Sequence, residues 1–101
     1  MDVMSSVNGT FYFDPKDPIY ADHFPGRPVV PGSLIVYAFL EEAEKTGELN
    51  SRHCLVEKFG FIEFVAPGAY SFSIETLADC FLCKLYHEGR TVVEGFLKGR
   101  Q

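Results

Sequence analysis

Read for alternation of apolar and polar positions, the chain separates into several short runs and one longer apolar block. Residues 7–14, VNGTFYFD, alternate and are aromatic, which predicts a strand. From Ser33 to about Lys45 the residues Leu34, Ile35, Val36, Tyr37, Ala38, Phe39 and Leu40 follow one another without a break, and Pro31-Gly32 before them and Gly47 after them punctuate a helix. A helix apolar nearly all round in its first half is expected to be buried on most sides, with EEAEK turning out to solvent. The remainder predicts strands. HCLVEKFGFIEFV (53–65) alternates in part, with Phe59, Phe61 and Ile62 crowded around Gly60, where a bulge is expected. After a turn at Ala66-Pro67-Gly68, YSFSIETLA alternates cleanly. CFLCKLYHEG and RTVVEGFLKG form a hairpin across His87-Glu88-Gly89-Arg90.

Five of the six prolines fall in residues 15–32, between the first strand and the helix. That density excludes a helix or a central strand, and predicts a long ordered loop. A loop of this length in a small domain usually serves function. Strand, loop, helix and four further strands give an α+β domain over residues 1–101, one long central helix against an antiparallel sheet of about five strands. One helix covers one face of a sheet, so the other face is expected to meet a second copy.

Composition narrows the function classes. A chain of 101 residues with 47% hydrophobic and 15% aromatic residues, ten of them Phe, has the material for a core or an apolar pocket. Self-association helps a domain of this size. The formal charge of −5 argues against nucleic-acid binding, which needs a basic face. There is no apolar run long enough for a transmembrane helix, and the start MDVMSSVNGT carries no signal-peptide pattern. With three cysteines, this predicts a reducing, cytoplasmic setting.

The segment HFPGRPVVPG, running into an apolar helix, closely resembles the β-hydroxyacyl-(acyl carrier protein) dehydratases of fatty-acid synthesis. His23, Phe24, Pro25, Gly26, Pro28, Pro31 and Gly32 match that family's pattern, and FGFIEFVAPGAYSFSIETL resembles its strand, turn and strand after the helix. The resemblance spans residues 7–98. It implies the hot-dog fold, a dimer or ring of dimers, and removal of water from a 3-hydroxyacyl thioester on an acyl carrier protein or coenzyme A. No cofactor and no metal is implied. His23 becomes the base, since imidazole titrates near neutrality. The backbone N–H of Gly32 polarises the thioester oxygen, and Phe24, Pro31 and Ser33 join it in holding substrate. The chain is shorter at its start than typical family members, so a more open pocket is expected.

The sequence departs from the family at one position. The family's acid is a Glu or Asp fourteen residues after the histidine, and here that residue is Tyr37. The acid is then Tyr37 itself, Glu41 one turn later on the same helix face, or a carboxylate from a partner subunit in a heterodimer. A non-catalytic subunit that binds acyl groups or a partner is the alternative, with an acyl thioesterase behind it. Cys80 and Cys83 are expected on opposite faces of a strand, which disfavours a shared metal or a disulfide. His53 and Cys54 read as strand packing and His87 as a solvated turn residue. Arg27, Lys58, Arg90, Lys98 and Arg100 are either scattered surface charges or a patch for an acidic carrier protein.

Overall fold

The structure, a computed structural model, describes residues 3–22, 26–46 and 54–99. The elements are β1 (Ser5–Phe13), α1 (Ile19–Asp22), α2 (Gly32–Glu44), β2 (Cys54–Phe61), β3 (Gly68–Thr76), β4 (Cys80–His87) and β5 (Arg90–Gly99). The five strands form one antiparallel sheet in the order β1-β3-β4-β5-β2, so β1 and β2 are its edges.

The sheet register sorts the side chains, because directly paired residues point to the same face. One inner row runs Gly9, Phe72, Leu85, Val93 and Phe61, and the next runs Val7, Ile74, Cys83 and Gly95. The α2 helix lays Ile35, Phe39 and Ala43, spaced four apart and all fully buried, on this face. Phe11 stacks on Phe72 with ring centroids 4.0 Å apart, and Phe39 meets both rings edge-on. This is the helix wrapped by an antiparallel sheet of the hot-dog fold.

The outer face departs from expectation. Its rows Asn8, Ser73, Lys84, Glu94 and Thr10, Ser71, Tyr86, Thr91 are polar, with Leu82 and Phe96 paired in the row between Glu75 and Glu57. Water can cover such a face, so it does not require a second sheet. The exposed large apolar residues lie instead mostly at the two sheet edges: Val3, Met4, Val7 and Tyr12 along and just before β1, and Leu55, Val56, Phe61, Ile62 and Phe64 along and just after β2.

One local expectation is also corrected. The proline-rich segment contains one helical turn, α1, in the proline-free stretch after Pro18. The Asp17 carboxylate accepts the Ile19 N–H at 3.0 Å, and its carbonyl accepts the Tyr20 N–H at 3.1 Å. The bulge expected beside Gly60 is present: the β2–β5 register shifts between Glu57 and Gly60, and the left-handed residue there is Lys58 at φ 53°.

Candidate functional site

The α2 helix begins at Gly32, one residue before the expected start, with Pro31 as its N-cap (φ −58°, ψ 138°). Proline fixes φ close to this value, and its lack of an N–H is harmless there. The Leu34 and Ile35 N–H groups both point back to the Pro31 carbonyl, at 3.0 and 3.4 Å. The N–H groups of Gly32 and Ser33 have no intrahelical acceptor, as in any first turn. The helix carries no acidic residue in its first turn, so its positive end is not neutralised from within.

Three local features position this helix start. Gly26, at φ 83°, takes a left-handed conformation that glycine adopts without strain, and so turns the loop toward α2. The Val30 N–H donates to the Val65 carbonyl at 2.7 Å, which ties the loop to the segment following β2. That segment is held in turn by the Ile62 N–H on the Val92 carbonyl at 2.8 Å and by the exposed Arg90–Glu63 ion pair at 3.3 Å.

Between these two tied segments lies an open apolar groove of about 480 Å³, with Pro31, Gly32, Ile35, Phe61 and Phe64 among its walls. Phe64 is 89% exposed and Phe61 46% exposed. A Cβ added at Gly32 would meet the Cζ of Phe61 at 2.9 Å, so the ring sits directly against the helix start. The start of α2, whose first N–H groups have no intrahelical acceptor, thus forms part of the wall of an apolar groove. Such a site can polarise a carbonyl while holding an attached apolar chain.

The predicted site residues divide. Pro31 and Gly32 line the groove. Ser33 follows them in the first turn and is exposed. Tyr37 and Glu41 share one face, as expected, but that face is open: Tyr37 is 52% exposed and Glu41 is exposed as well. Tyr37 lies two positions from Ile35 and from Phe39, roughly 200° around the axis, so the Ser33, Tyr37, Glu41 stripe faces away from the sheet. The helix is therefore not buried on most sides in a single chain. From Gly32 to Tyr37 the rotation is about 140°, which keeps Tyr37 out of its own chain's groove. His23 and Phe24 lie outside the described residues, as do His53 and Arg100.

Other candidates resolve simply. Cys83 is fully buried while Cys80 is half-buried on the opposite face of β4. Burial, followed by the Asp79 charge, raises the Cys80 thiol pKa above its ordinary value. Among the described residues, no group of three or more His, Cys, Asp or Glu is placed to hold a metal, and no helix is long and apolar enough to cross a membrane. His87 ends β4 rather than sitting in the turn, and its ring lies 5.2 Å from that of Tyr70. The basic residues do not form one patch: Arg90 and Lys98 stand at opposite ends of β5, about 27 Å apart at roughly 3.4 Å per residue. Sequence reasoning missed Phe61 and Phe64 as groove walls. The crowding of Phe59, Phe61 and Ile62 around Gly60 was visible, but whether Phe61 faced the core or the helix start was not.

Known proteins resemble this chain in sequence and in fold. The family model for ApeI-like proteins, described as ApeI dehydratase, matches residues 2–78. A curated relative, the 3-hydroxyacyl-[acyl-carrier-protein] dehydratase FabZ of Anaplasma phagocytophilum, is 29% identical over 65% of this chain and 50% of its own length. The chain thus spans about half the length of that relative. Among solved structures, the dehydratase heterocomplex ApeI:P from Xenorhabdus doucetiae superposes with a TM-score of 0.73 at 18% identity, covering 95% of this chain and 88% of that one.

Proposed function

The chain belongs to the ApeI-like dehydratase family, and we propose that it removes water from a 3-hydroxyacyl thioester carried by an acyl carrier protein or coenzyme A. The observation that carries this reading is the Gly32 N–H at the start of α2, opening on an apolar groove and standing nine residues after His23. His23 takes the α proton. The electron pair moves onto the thioester oxygen, which the Gly32 N–H stabilises. As that charge returns, the α,β double bond forms, the C–O bond at the β carbon breaks, and the hydroxyl takes a proton and leaves as water. The free thiols of Cys80 and Cys83 support a reducing, cytoplasmic setting.

The proton for the hydroxyl comes from Tyr37, Glu41 or a partner's carboxylate. The outward face of Tyr37 supports an assembly in which each helix presents this face to the groove of the neighbouring subunit. In a homodimer the acid is then Tyr37 or Glu41 of the other copy. The tyrosine itself favours a second reading, a subunit that is active only beside a different chain bearing a carboxylate.

The test is hydration of short and medium enoyl thioesters by the purified chain, with His23→Ala, Tyr37→Phe and Tyr37→Glu alongside. Tyrosine acting as the acid predicts activity that disappears with His23→Ala and falls by about 10²–10⁴ with Tyr37→Phe. A silent wild type that gains activity with Tyr37→Glu supports the two-chain reading. Silence in every variant, together with no binding of any acyl thioester, overturns both.

A further inference from the structure

Two aromatic rings on the inner side of β2 rest on positions that have no side chain. Phe59 covers Gly95 in the middle of the sheet, and Phe61 covers Gly32 at the start of α2. Phe59 packs onward against Phe39 in the core, with ring centroids 6.1 Å apart. Phe61 is different: it pairs with buried Val93 in the sheet, yet it is 46% exposed and forms a wall of the groove. Its ring therefore stands between the open groove and the buried interior. Ile35 spans both sides of that boundary, since it lines the groove and is 1% exposed.

We propose that Phe61 is the specificity-determining residue of this chain, setting how long or how bulky an acyl group the groove accepts beyond the Gly32 N–H. This rests on the dehydratase reading above. The physical argument is one of position. A carbonyl that reaches the Gly32 N–H brings its substituents against the Phe61 ring, because that ring occupies the space beside Gly32. Removing the ring extends the groove along Ile35 toward Phe59. Enlarging it shortens the groove from the same side. The strand holds the ring in place through the β2–β5 pairing at Val93, and the Ile62 N–H bond to Val92 fixes the next residue. Phe64, at the rim and 89% exposed, lacks this support and does not define the depth.

The test is a chain-length series of enoyl-pantetheine substrates with wild type, Phe61→Ala and Phe61→Trp, read as kcat/KM for each length and paired with binding of the saturated acyl-pantetheines by calorimetry. Phe61→Ala is expected to move the optimum to longer chains, by about 15-fold in relative kcat/KM for each two-carbon extension that gains burial of two methylenes. Phe61→Trp is expected to move it to shorter ones. A residue that only supports the fold would lower all lengths together, with a matching loss in thermal stability, and would not shift the optimum in opposite directions. An unchanged length profile in both variants, with an active or binding wild type, overturns the proposal alone. A wild type that neither hydrates nor binds any member of the series overturns the dehydratase reading and this proposal with it.

Discussion

Replacing Gly95 by alanine tests how the sheet accommodates the helix. Gly95 is buried in β5 between Cys83 and the irregular part of β2, and an added Cβ would fall within the Phe59 ring, against its Cγ and Cδ2 atoms. Because Cγ is the root of the ring, a small rotation cannot clear it. Either the core absorbs the overlap, at about 1–3 kcal/mol for overpacking, or the ring swings outward. The second route forfeits roughly half of the 1.5–3 kcal/mol of a buried Phe, since Phe59 is only partly buried, together with about 0.5–1.5 kcal/mol from its contact with Phe39. Both routes give about 2 kcal/mol. Alanine recovers about 0.5–1 kcal/mol by restricting the unfolded chain. The net loss is about 1–1.5 kcal/mol, which lowers a urea midpoint by about 1 M at an m value of about 1.2 kcal/mol/M. Denaturation of wild type, Gly95→Ala, Phe59→Ala and the double variant at one protein concentration reads it, with a coupling of about 2 kcal/mol expected between the two sites. A Gly95→Ala midpoint at or above wild type, or the same penalty with Phe59 already removed, would refute the packing argument.

Two further expectations concern polar groups within the fold. Ser73 Oγ and Tyr86 Oη lie 2.9 Å apart and share a hydrogen bond on the outer face, so Ser73→Ala and Tyr86→Phe should each lose about 1 kcal/mol, with the double variant close to either single one by chemical denaturation. Burial raises the phenol pKa of Tyr20, with Asp17 and Asp14 adding to it, and burial raises that of Tyr70, whose hydroxyl donates a hydrogen bond to the Ala66 carbonyl at 2.7 Å. The folded chain therefore keeps these protons at pH values where the unfolded chain has released them. The resulting stability is fully present below the ordinary phenol pKa of 10.0 and declines as pH rises through the folded values. Alkaline denaturation followed by tyrosinate absorbance should show that decline, and Tyr20→Phe should flatten it. An unchanged alkaline limb would count against burial as its cause.

The sequence alone determined the order of elements, because local chemistry sets them. Proline and glycine stop regular structure wherever they fall, and alternation with period two survives in Tyr70, Phe72 and Ile74 whatever lies above them. The loop and helix start at Pro31 and Gly32 were legible for the same reason. Even the opposite faces of Cys80 and Cys83 follow from strand geometry alone. The short turn α1 was not legible, since five prolines outweighed the capping of a single turn by Asp17.

What only the tertiary structure decided is where surfaces meet. An apolar run such as Leu34 to Leu40 does not say which of its sides the sheet will take. Packing of Ile35, Phe39 and Ala43 on the inner face made that choice, and it turned Tyr37 and Glu41 outward together. Pairing register, not composition, made the outer face of the sheet mostly polar. The seats of Phe59 on Gly95 and Phe61 on Gly32 join residues 36 and 29 positions apart, a distance over which no local pattern operates. The helix start announces itself in the sequence through its proline and glycine. The shape of the groove beside it arises only when a distant strand brings an aromatic ring against that glycine.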